Sequence, residues 1–316
     1  MKSIIKRNGT TVAYDRNKIS KAIAKAFISV NSQASTEQLE DYLNQIEAKL
    51  SDQESCGVEL IQDTVEQVLM KNDQYAVAKS YILYREKRTA LRNQRKELLE
   101  VVKDPDIEPV LVKIQKDFLE YDLEKLAFKF KEMDKDEMDL FRRLDLLIKA
   151  GEEMTSKEEP QWEKIAGRLL SYRFHYQLHQ QEKNLGLNSF YEKVVYLTNE
   201  ELYGDYILQG YSHSEIDEAS GLIDESRNDL FTYSGLDLLI QRYLIINRRH
   251  VVLESPQEMY LGIALHLALK ETKDRLSWVK KYYDMLSLEL VTMATPTMAN
   301  ARKPYHQLSS CFVDTV

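Results

Sequence analysis

The sequence has few residues that break helices and few that cross-link chains. Its 316 residues include 10 glycines, 6 prolines and 2 cysteines. Two cysteines, Cys56 and Cys311, are too few for a disulfide framework or a four-thiolate zinc site. The scarcity of glycine and proline, beside many leucine, alanine, glutamate and lysine residues, favours a mainly α-helical chain.

The sequence also lacks long apolar runs, a signal peptide and an excess of basic charge. No stretch approaches the roughly 20 apolar residues that a membrane helix needs, and the N-terminal segment has no apolar core of a secretory signal. A formal net charge of −8 excludes a generally basic surface for nucleic acid, so a polyanion site must be local. We therefore expect a cytoplasmic protein with neither a membrane nor a nucleic-acid partner.

The first 30 residues predict a β-hairpin followed by an amphipathic helix. Residues 2–14 read KSIIKRNGTTVAY, and the Asn8-Gly9 pair tolerates the positive φ angles of a tight hairpin turn. Asp15 then offers an N-cap. Apolar residues with helical spacing predict one buried helix face: Ile19, Ala22, Ile23, Ala26, Phe27 and Val30.

Basic residues accompany these elements. Lys6 and Arg7 lie in the predicted turn, and Lys18 lies in the first helix. A further basic cluster ends a later helix: Arg85, Lys87, Arg88, Arg92, Arg95 and Lys96. Because lysine and arginine bind phosphate oxygens, convergence of these groups predicts a triphosphate site. Solvated lysines on a small helical domain are the alternative.

The stretch IIKRNGTTVAYDRNKISKAIAKAF, with YAVAKSYILYREKR further along, resembles the ATP-cone, the small allosteric domain of ribonucleotide reductases. The residues that fit the family pattern are Lys6, Arg7, Asn8, Gly9, Asp15, Lys18 and Ile19. The resemblance implies a cone over residues 1–95 that binds ATP or dATP with Mg²⁺ against Lys6, the 12–18 segment and Lys18, closed by Lys87.

Two positions depart from that family pattern. Val12 stands where some relatives have glutamate, and Val58 stands where some have a nucleotide-contacting threonine. The resemblance thus implies that Val12 and Val58 border the nucleotide and re-tune its binding.

Residues 96–185 are acidic and carry helical patterns. A solvated helical linker is one interpretation. The stretch MTSKEEPQWEKIAGRLLSYRF resembles the closing helices of an ATP-cone, so a degenerate second cone is the other. The segment has no Lys-Arg-Asp-Gly hairpin at its start, and we expect no strong nucleotide binding there.

Residues 186–290 resemble the helical N-terminal domain of the large, catalytic subunit of class I ribonucleotide reductase. The matching segments are FYEKVVYL, FTYSGLDLLIQRYLI, the Glu-Ser-Pro-Gln helix start and WVKKYYD. Ser255, Pro256 and Glu258 have the spacing of an N-cap, a first-turn proline and a capping-box glutamate. The stretch MYLGIALHLALK is apolar nearly all round, which predicts a buried helix.

Residues 291–316 resemble the opening of the reductase barrel, Thr-Pro-Thr followed by Gln-Leu-Ser-Ser-Cys. Val291 and Thr292 favour an extended strand, and the resemblance implies that it is the first strand of a truncated ten-stranded α/β barrel. A polar connection with an incidental cysteine is the alternative.

The same resemblance implies roles for three residues of this segment. Thr295 and Ser310 approach the substrate diphosphate, and Cys311 is a redox-active thiol. In the family, a thiyl radical takes the ribose 3′-hydrogen, water leaves the 2′-position, and a dithiol supplies the electrons.

The resemblance as a whole implies the N-terminal part of a ribonucleoside-diphosphate reductase, which makes deoxyribonucleotides for DNA replication. The implied partners are a small subunit that supplies the radical cofactor, the rest of the large subunit, a second copy in a homodimer, and thioredoxin or glutaredoxin. The chain offers no metal ligands and, in Cys311, one redox-active thiol where the reaction needs two. It is therefore expected to be inactive alone. Whether it is a piece of a longer polypeptide or half of a split reductase stays open.

Three other interpretations account for parts of the sequence. The adenosylcobalamin-dependent reductases have a similar barrel opening, although the helical domain favours class I. Against a stand-alone nucleotide sensor, cone-containing repressors carry a four-cysteine zinc ribbon that two cysteines cannot form. The spacing of Thr295 and Cys311 disfavours a purely structural helical module.

Overall fold

The computed structural model describes residues 3–7, 9–51, 53–134, 138–305 and 307–311. Asn8 of the predicted turn and residues 312–316 of the predicted barrel segment lie outside them. The chain is mainly helical and forms two units, Met1–Asn93 and Gln94–Val316. None of the described helices combines the length and the apolar character needed to cross a bilayer.

The first unit combines a small sheet with helices. Its elements are β1 (Ser3–Ile5), β2 (Thr11–Ala13), α1 (Arg16–Ser29), α2 (Thr36–Lys49), β3 (Ser55–Gly57), α3 (Val58–Lys71) and the first part of α4 (Tyr75–Val102). The strand order is β2-β1-β3. The predicted hairpin is confirmed, because β1 pairs antiparallel with β2 and Gly9 has a φ of +80°. Sequence reasoning missed β3, which pairs parallel with β1.

The first helix begins where the sequence predicts. The Asp15 side chain accepts a hydrogen bond of 3.0 Å from the backbone N–H of Asn17, which satisfies one of the free donors of the first turn. The buried face of α1 contributes to a core whose fully buried members include Ile23, Ile46, Val65, Val68 and Leu69. Residues of α4 also join this core, which therefore fixes the positions of the basic residues on α1 and on the first part of α4.

The second unit is mainly helical, with one isolated β-bridge between Ile246 and Val252 in its described part. After the end of α4 its α-helices are α5 (Glu108–Asp117), α6 (Leu123–Met133), α7 (Leu140–Glu153), α8 (Trp162–Leu185), α9 (Phe190–Asn199), α10 (Tyr206–Gly210), α11 (His213–Ser220), α12 (Tyr233–Arg242), α13 (Pro256–Ala268), α14 (Arg275–Ser287) and α15 (Thr295–Asn300). Two 3-10 helices, Pro105–Ile107 and Glu225–Leu230, complete it.

Helix α8 contributes to both hydrophobic cores of this unit. Trp162 and Ile165 share one core with α5, α6 and α7, whereas Phe174 and Leu178 join the other, around α13. Gly186 ends α8 with a φ of +70°, a conformation that suits glycine. In the described part of residues 96–185 there are helices and no strand, so a second cone there stays a prediction.

Helix α13 is the centre of the second core, as its apolar sequence predicts. The Ser255 hydroxyl accepts from the backbone N–H of Glu258 at 3.1 Å, and the Glu258 carboxylate accepts from the N–H of Ser255 at 2.7 Å. This confirms the predicted capping box. Residues 256–265 are all buried. The helix therefore has no solvent-facing side, which explains why its sequence lacks a polar face.

The predicted strand at Val291 and Thr292 is absent. These residues form a non-helical connection, and Thr295 opens α15 instead of following a strand. Pro296 lies in the first turn, where its missing N–H is not needed. A strand requires a pairing neighbour for its backbone groups, and none pairs with residues 291–292 in the part of the chain that the structure describes. The barrel stays a prediction.

An ionic pair in the second unit links its stability to pH. His175 Nε2 lies 2.8 Å from the Glu225 carboxylate. Burial alone would lower the pKa of His175, but the hydrogen bond and the charge of Glu225 outweigh it and raise that pKa above 6.5. His175 therefore holds its proton more tightly in the folded chain than in the unfolded chain.

We expect the free energy of unfolding of this unit to fall as pH rises above about 6.5. The contribution of His175 is complete below its unfolded pKa and is lost as pH rises through its folded pKa. Both tryptophans, Trp162 and Trp278, lie in this unit, so urea unfolding followed by fluorescence measures it. Glu225→Gln should flatten the pH dependence, and the exposed Glu218→Gln should not. Equal slopes in all three proteins would contradict the assignment.

Candidate functional site

A basic cavity of about 770 Å³ lies in the first unit. Its lining includes seven lysines and arginines and no carboxylate among the described residues: Arg7, Lys18, Lys21, Lys25, Arg85, Arg88 and Arg92. The volume is within the roughly 300–1,000 Å³ of ordinary ligand pockets. A cavity of this charge suits a small polyanion.

Helical spacing brings these cations to one place. On α1, Lys18, Lys21 and Lys25 are three and four residues apart, so they share a face. On α4, five cavity residues also follow one another at intervals of one, three or four and so share a face: Tyr81, Tyr84, Arg85, Arg88 and Arg92. The two helices thus present a row of cations each to the same cavity.

Two tyrosines add an aromatic wall to the cavity. Tyr84 is 65% exposed, so its ring is available to a planar group such as a purine. Tyr81 is buried, and burial raises the pKa of its hydroxyl to about 12. Tyr81 therefore stays protonated at neutral pH.

Some of these cations form close ion pairs, whereas others have only distant partners. Arg7 pairs with Glu59, and its Nη2 donates to Gln62 Oε1 at 2.9 Å. The hydrogen bond that Arg7 Nε donates to Glu59 holds the pKa of that carboxyl below its ordinary value. Lys18, with a side chain 78% exposed, lies 3.7 Å from Asp15, a separation that leaves it free to turn towards a ligand.

Three carboxylates hold the side chain of Arg85. It donates to Glu59 at 2.6 Å, Asp63 at 2.5 Å and Glu66 at 2.8 Å. These carboxylates lie on α3, three to four residues apart, and they fix the Arg85 side chain at the edge of the cavity.

The structure places the other predicted nucleotide residues outside the cavity lining. Lys6 is exposed after β1, and Val12 lies on β2 opposite Ile4. Asp15 caps α1, and Val58 is the first residue of α3.

Lys87 also lies outside the cavity lining, exposed on α4. It is two residues from Arg85, about 200° around the helix, whereas Arg88 shares the cavity face. The structure thus brings Arg7 and Lys18 together and adds Lys21, Lys25, Tyr81 and Tyr84. Their helical spacing was the sequence signal that could have found them.

A second candidate site lies at the C-terminal end of the second unit. The Thr297 hydroxyl donates to the carbonyl of Leu308 at 3.4 Å, and the Asn300 amide donates to the carbonyl of Gln307 at 3.0 Å. These bonds hold the segment before Cys311 against α15. Thr295 Oγ1 lies 3.3 Å from the Tyr243 hydroxyl.

The thiol of this segment is accessible. Neither cysteine forms a disulfide; Cys311 is exposed, whereas Cys56 is buried. The hydroxyl of Ser310 lies 3.9 Å from the Cys311 sulfur, and the hydroxyl of Ser309 donates to the Cys311 carbonyl at 2.9 Å. Two hydroxyls and a thiol therefore occupy one short exposed stretch.

A buried ion pair anchors α15 from inside the unit. Arg302 and Glu254 are both fully buried, and Arg302 Nε lies 3.0 Å from both Glu254 oxygens. Arg302 also donates to the carbonyls of Met298 at 2.8 Å and Tyr243 at 2.7 Å. Gly262 makes room for this arginine, because a Cβ there would approach its Cδ to 2.9 Å.

The described residues contain no group of three or more histidines, cysteines or carboxylates arranged to hold a metal ion. The chemistry available at the two candidate sites is therefore anion binding in the cavity and hydroxyl and thiol chemistry near Cys311.

Two family models match the chain. Residues 2–90 match the ATP cone domain, and residues 229–306 match the all-alpha domain of ribonucleotide reductase. The first match covers the basic cavity apart from Arg92. The second includes α12 to α15 and the Arg302–Glu254 pair, and it ends before Cys311.

Similar curated proteins carry the name ribonucleoside-diphosphate reductase subunit alpha. The protein from Treponema pallidum is 48% identical over 322 residues, covering 99% of this chain and 38% of that protein. The one from Chlamydia muridarum is 30% identical over 369 residues, covering 99% and 33%. The Escherichia coli subunit is 29% identical over 169 residues, covering 53% and 22%. The chain thus spans well under half the length of these relatives.

Proposed function

We propose that this chain, which carries the ATP cone and all-alpha domains of the ribonucleotide reductase large subunit, binds adenine nucleotide in its first unit as a regulatory ligand. The observation that carries the proposal is the cavity in which Arg7, Lys18, Lys21, Lys25 and Arg88 converge within the ATP cone match. ATP and dATP combine the polyanion and the purine that this cavity suits.

In this proposal the phosphates lie between α1 and α4, and the purine lies against Tyr84. The lysines supply point charges, and the arginines supply planar donors for phosphate oxygens. The described cavity lining has no carboxylate, so it does not fit a protein-held Mg²⁺, and that ion would arrive bound to the nucleotide. Lys6, Val12, Asp15, Val58 and Lys87, which lie outside the cavity lining, are proposed to contact the part of the nucleotide that extends beyond it.

The second unit is proposed to contribute to ribonucleoside-diphosphate reduction. Thr295 and Ser310 would meet the substrate diphosphate, and Cys311 would be one of two thiols oxidised to a disulfide as the 2′-carbon is reduced. The exposed hydroxyls and thiol beside α15 support this assignment. The activity would need the rest of the large subunit, a second copy of it, a class I radical-generating subunit, and thioredoxin or glutaredoxin.

Nucleotide binding is tested by calorimetry on the 316-residue chain with ATP and dATP. We expect saturable binding, weakened by about 1–3 kcal/mol in Lys18→Ala or Arg88→Ala because each loses a charged hydrogen bond. Lys79→Ala, an exposed lysine on α4 outside the cavity lining, is the matched control and should bind like the unaltered chain.

Two outcomes would decide against parts of this proposal. No binding by the unaltered chain at millimolar nucleotide would refute the regulatory function. Loss of affinity in Lys87→Ala without loss in Arg88→Ala would move the phosphates from the cavity to the face of α4 that carries Lys87.

A further inference from the structure

Helix α3 presents carboxylates to two arginines of the basic cavity, and Glu59 is shared between them. One Glu59 oxygen accepts from Arg7 Nε, and the other accepts from Arg85 Nη2 at 2.6 Å. Arg85 also contacts Asp63 and Glu66. A ligand that enters the cavity thus meets two arginines that already have an anionic partner.

The two arginines depend on Glu59 to different degrees. Without it, Arg85 would keep Asp63 and Glu66. Arg7 would keep Gln62, a neutral partner, since Glu59 is its carboxylate partner among the described residues. Glu59 is therefore chiefly the counter-ion of Arg7.

The geometry of the pair puts it in competition with phosphate. Glu59 and Gln62 accept from Nε and Nη2 of Arg7, and these two groups form one edge of the guanidinium, the kind of edge that binds a phosphate with two parallel hydrogen bonds. The side chains of Arg7 and Glu59 are 38% and 52% exposed. A pair this exposed is weak enough to exchange partners.

We propose that Glu59 is a competing counter-ion that sets the affinity of the cavity for phosphate, because an incoming phosphate must take Arg7 from it. This inference rests on the proposed nucleotide binding and adds a residue that limits it. Removing the competition should strengthen binding, which is the opposite of what loss of a ligand contact would do.

The test titrates the 316-residue chain with ATP and, separately, with inorganic tripolyphosphate. Glu59→Gln should bind both about threefold to fivefold more tightly, the range expected for releasing one exposed ion pair. Asp63→Asn is the matched control. It removes the same charge from the same helix at nearly the same exposure, 51% against 52%, but Asp63 contacts Arg85. Its gain should be smaller than that of Glu59→Gln.

Two further variants separate competition from the general field of a negative charge. Glu59→Asp keeps the charge but shortens the side chain, so competition predicts a gain and a field effect predicts none. In an Arg7→Ala background, competition predicts that the gain from Glu59→Gln nearly disappears. A field effect predicts that it persists or grows, since Glu59 is then less neutralised.

The outcomes also separate this inference from the nucleotide proposal. Tripolyphosphate binding that responds to Glu59→Gln, with no ATP binding, would sink the nucleotide proposal and uphold the role of Glu59. ATP binding that is equal in the unaltered chain and in Glu59→Gln would overturn the role of Glu59 alone. If neither anion binds either protein at millimolar concentration, both are overturned. Circular dichroism melts check that each variant is folded.

Discussion

Replacing Glu254 by glutamine should destabilise the second unit by about 3–5 kcal/mol. Glu254 and Arg302 have fully buried side chains, so the substitution leaves a buried guanidinium without its counter-charge. Glu254 also accepts hydrogen bonds from the backbone N–H of Ile245 at 2.7 Å and from the Tyr203 hydroxyl at 3.0 Å. In glutamine one of the two oxygens becomes an NH₂ donor, so at least one of these hydrogen bonds is lost. Urea unfolding followed by tryptophan fluorescence measures the loss.

A matched control for this experiment is Glu153→Gln. Glu153 pairs with Lys129 at 3.1 Å on the surface, with side chains 40% and 33% exposed, and exposed pairs contribute about 1 kcal/mol or less. The double variant Glu254→Met with Arg302→Met should be less destabilised than Glu254→Gln, because an apolar pair leaves no unpaired buried charge. A loss in Glu254→Gln no greater than in the control would refute the role of the buried pair.

Replacing Cys311 by serine should abolish multiple-turnover reduction in a complete large subunit. Reduction of the ribose 2′-carbon takes two electrons, which two thiols give up as they form a disulfide, and serine cannot take part in that exchange. The measurement joins residues 1–316 to the remaining part of the Treponema pallidum subunit, whose aligned region is 48% identical to this chain over 322 residues. Full turnover by Cys311→Ser with a dithiol reductant would show that another residue has this role.

The control for the redox prediction is Cys56→Ser, which should keep its turnover. Cys56 is 2% exposed, and burial raises the pKa of its thiol, so it is a poor nucleophile. In the 316-residue chain, thiol labelling under native conditions should therefore modify Cys311 rapidly and Cys56 only after unfolding. Rapid labelling of Cys311→Ser would contradict this accessibility.

Local patterns in the sequence determined most of the secondary structure. The Asn-Gly turn, the N-cap at Asp15 and the capping box at Ser255 and Glu258 act over two to four residues, and each lies where its pattern predicts. The turn itself includes Asn8, outside the described residues. The resemblance to reductase large subunits was also available from the sequence, because its motifs are contiguous stretches.

The tertiary structure decided what depends on contacts between distant residues. Strand β3 exists because Cys56 pairs with Ile4, 52 residues earlier, and its three residues have no pattern of their own. Val291 and Thr292 have strand-forming side chains but no pairing neighbour among the described residues, and they form no strand.

The tertiary structure also decided which residues line the basic cavity. The sequence showed a basic cluster on α4, but which of its members face α1 depends on how the two helices pack, and Arg88 does so where Lys87 does not. Glu254 and Arg302 are 48 residues apart in the sequence, and only folding removes both from water. The reason is common to all these cases: caps and turns are satisfied by neighbours in the chain, whereas strand pairing, burial of charge and convergence of cations need partners that the fold must bring together.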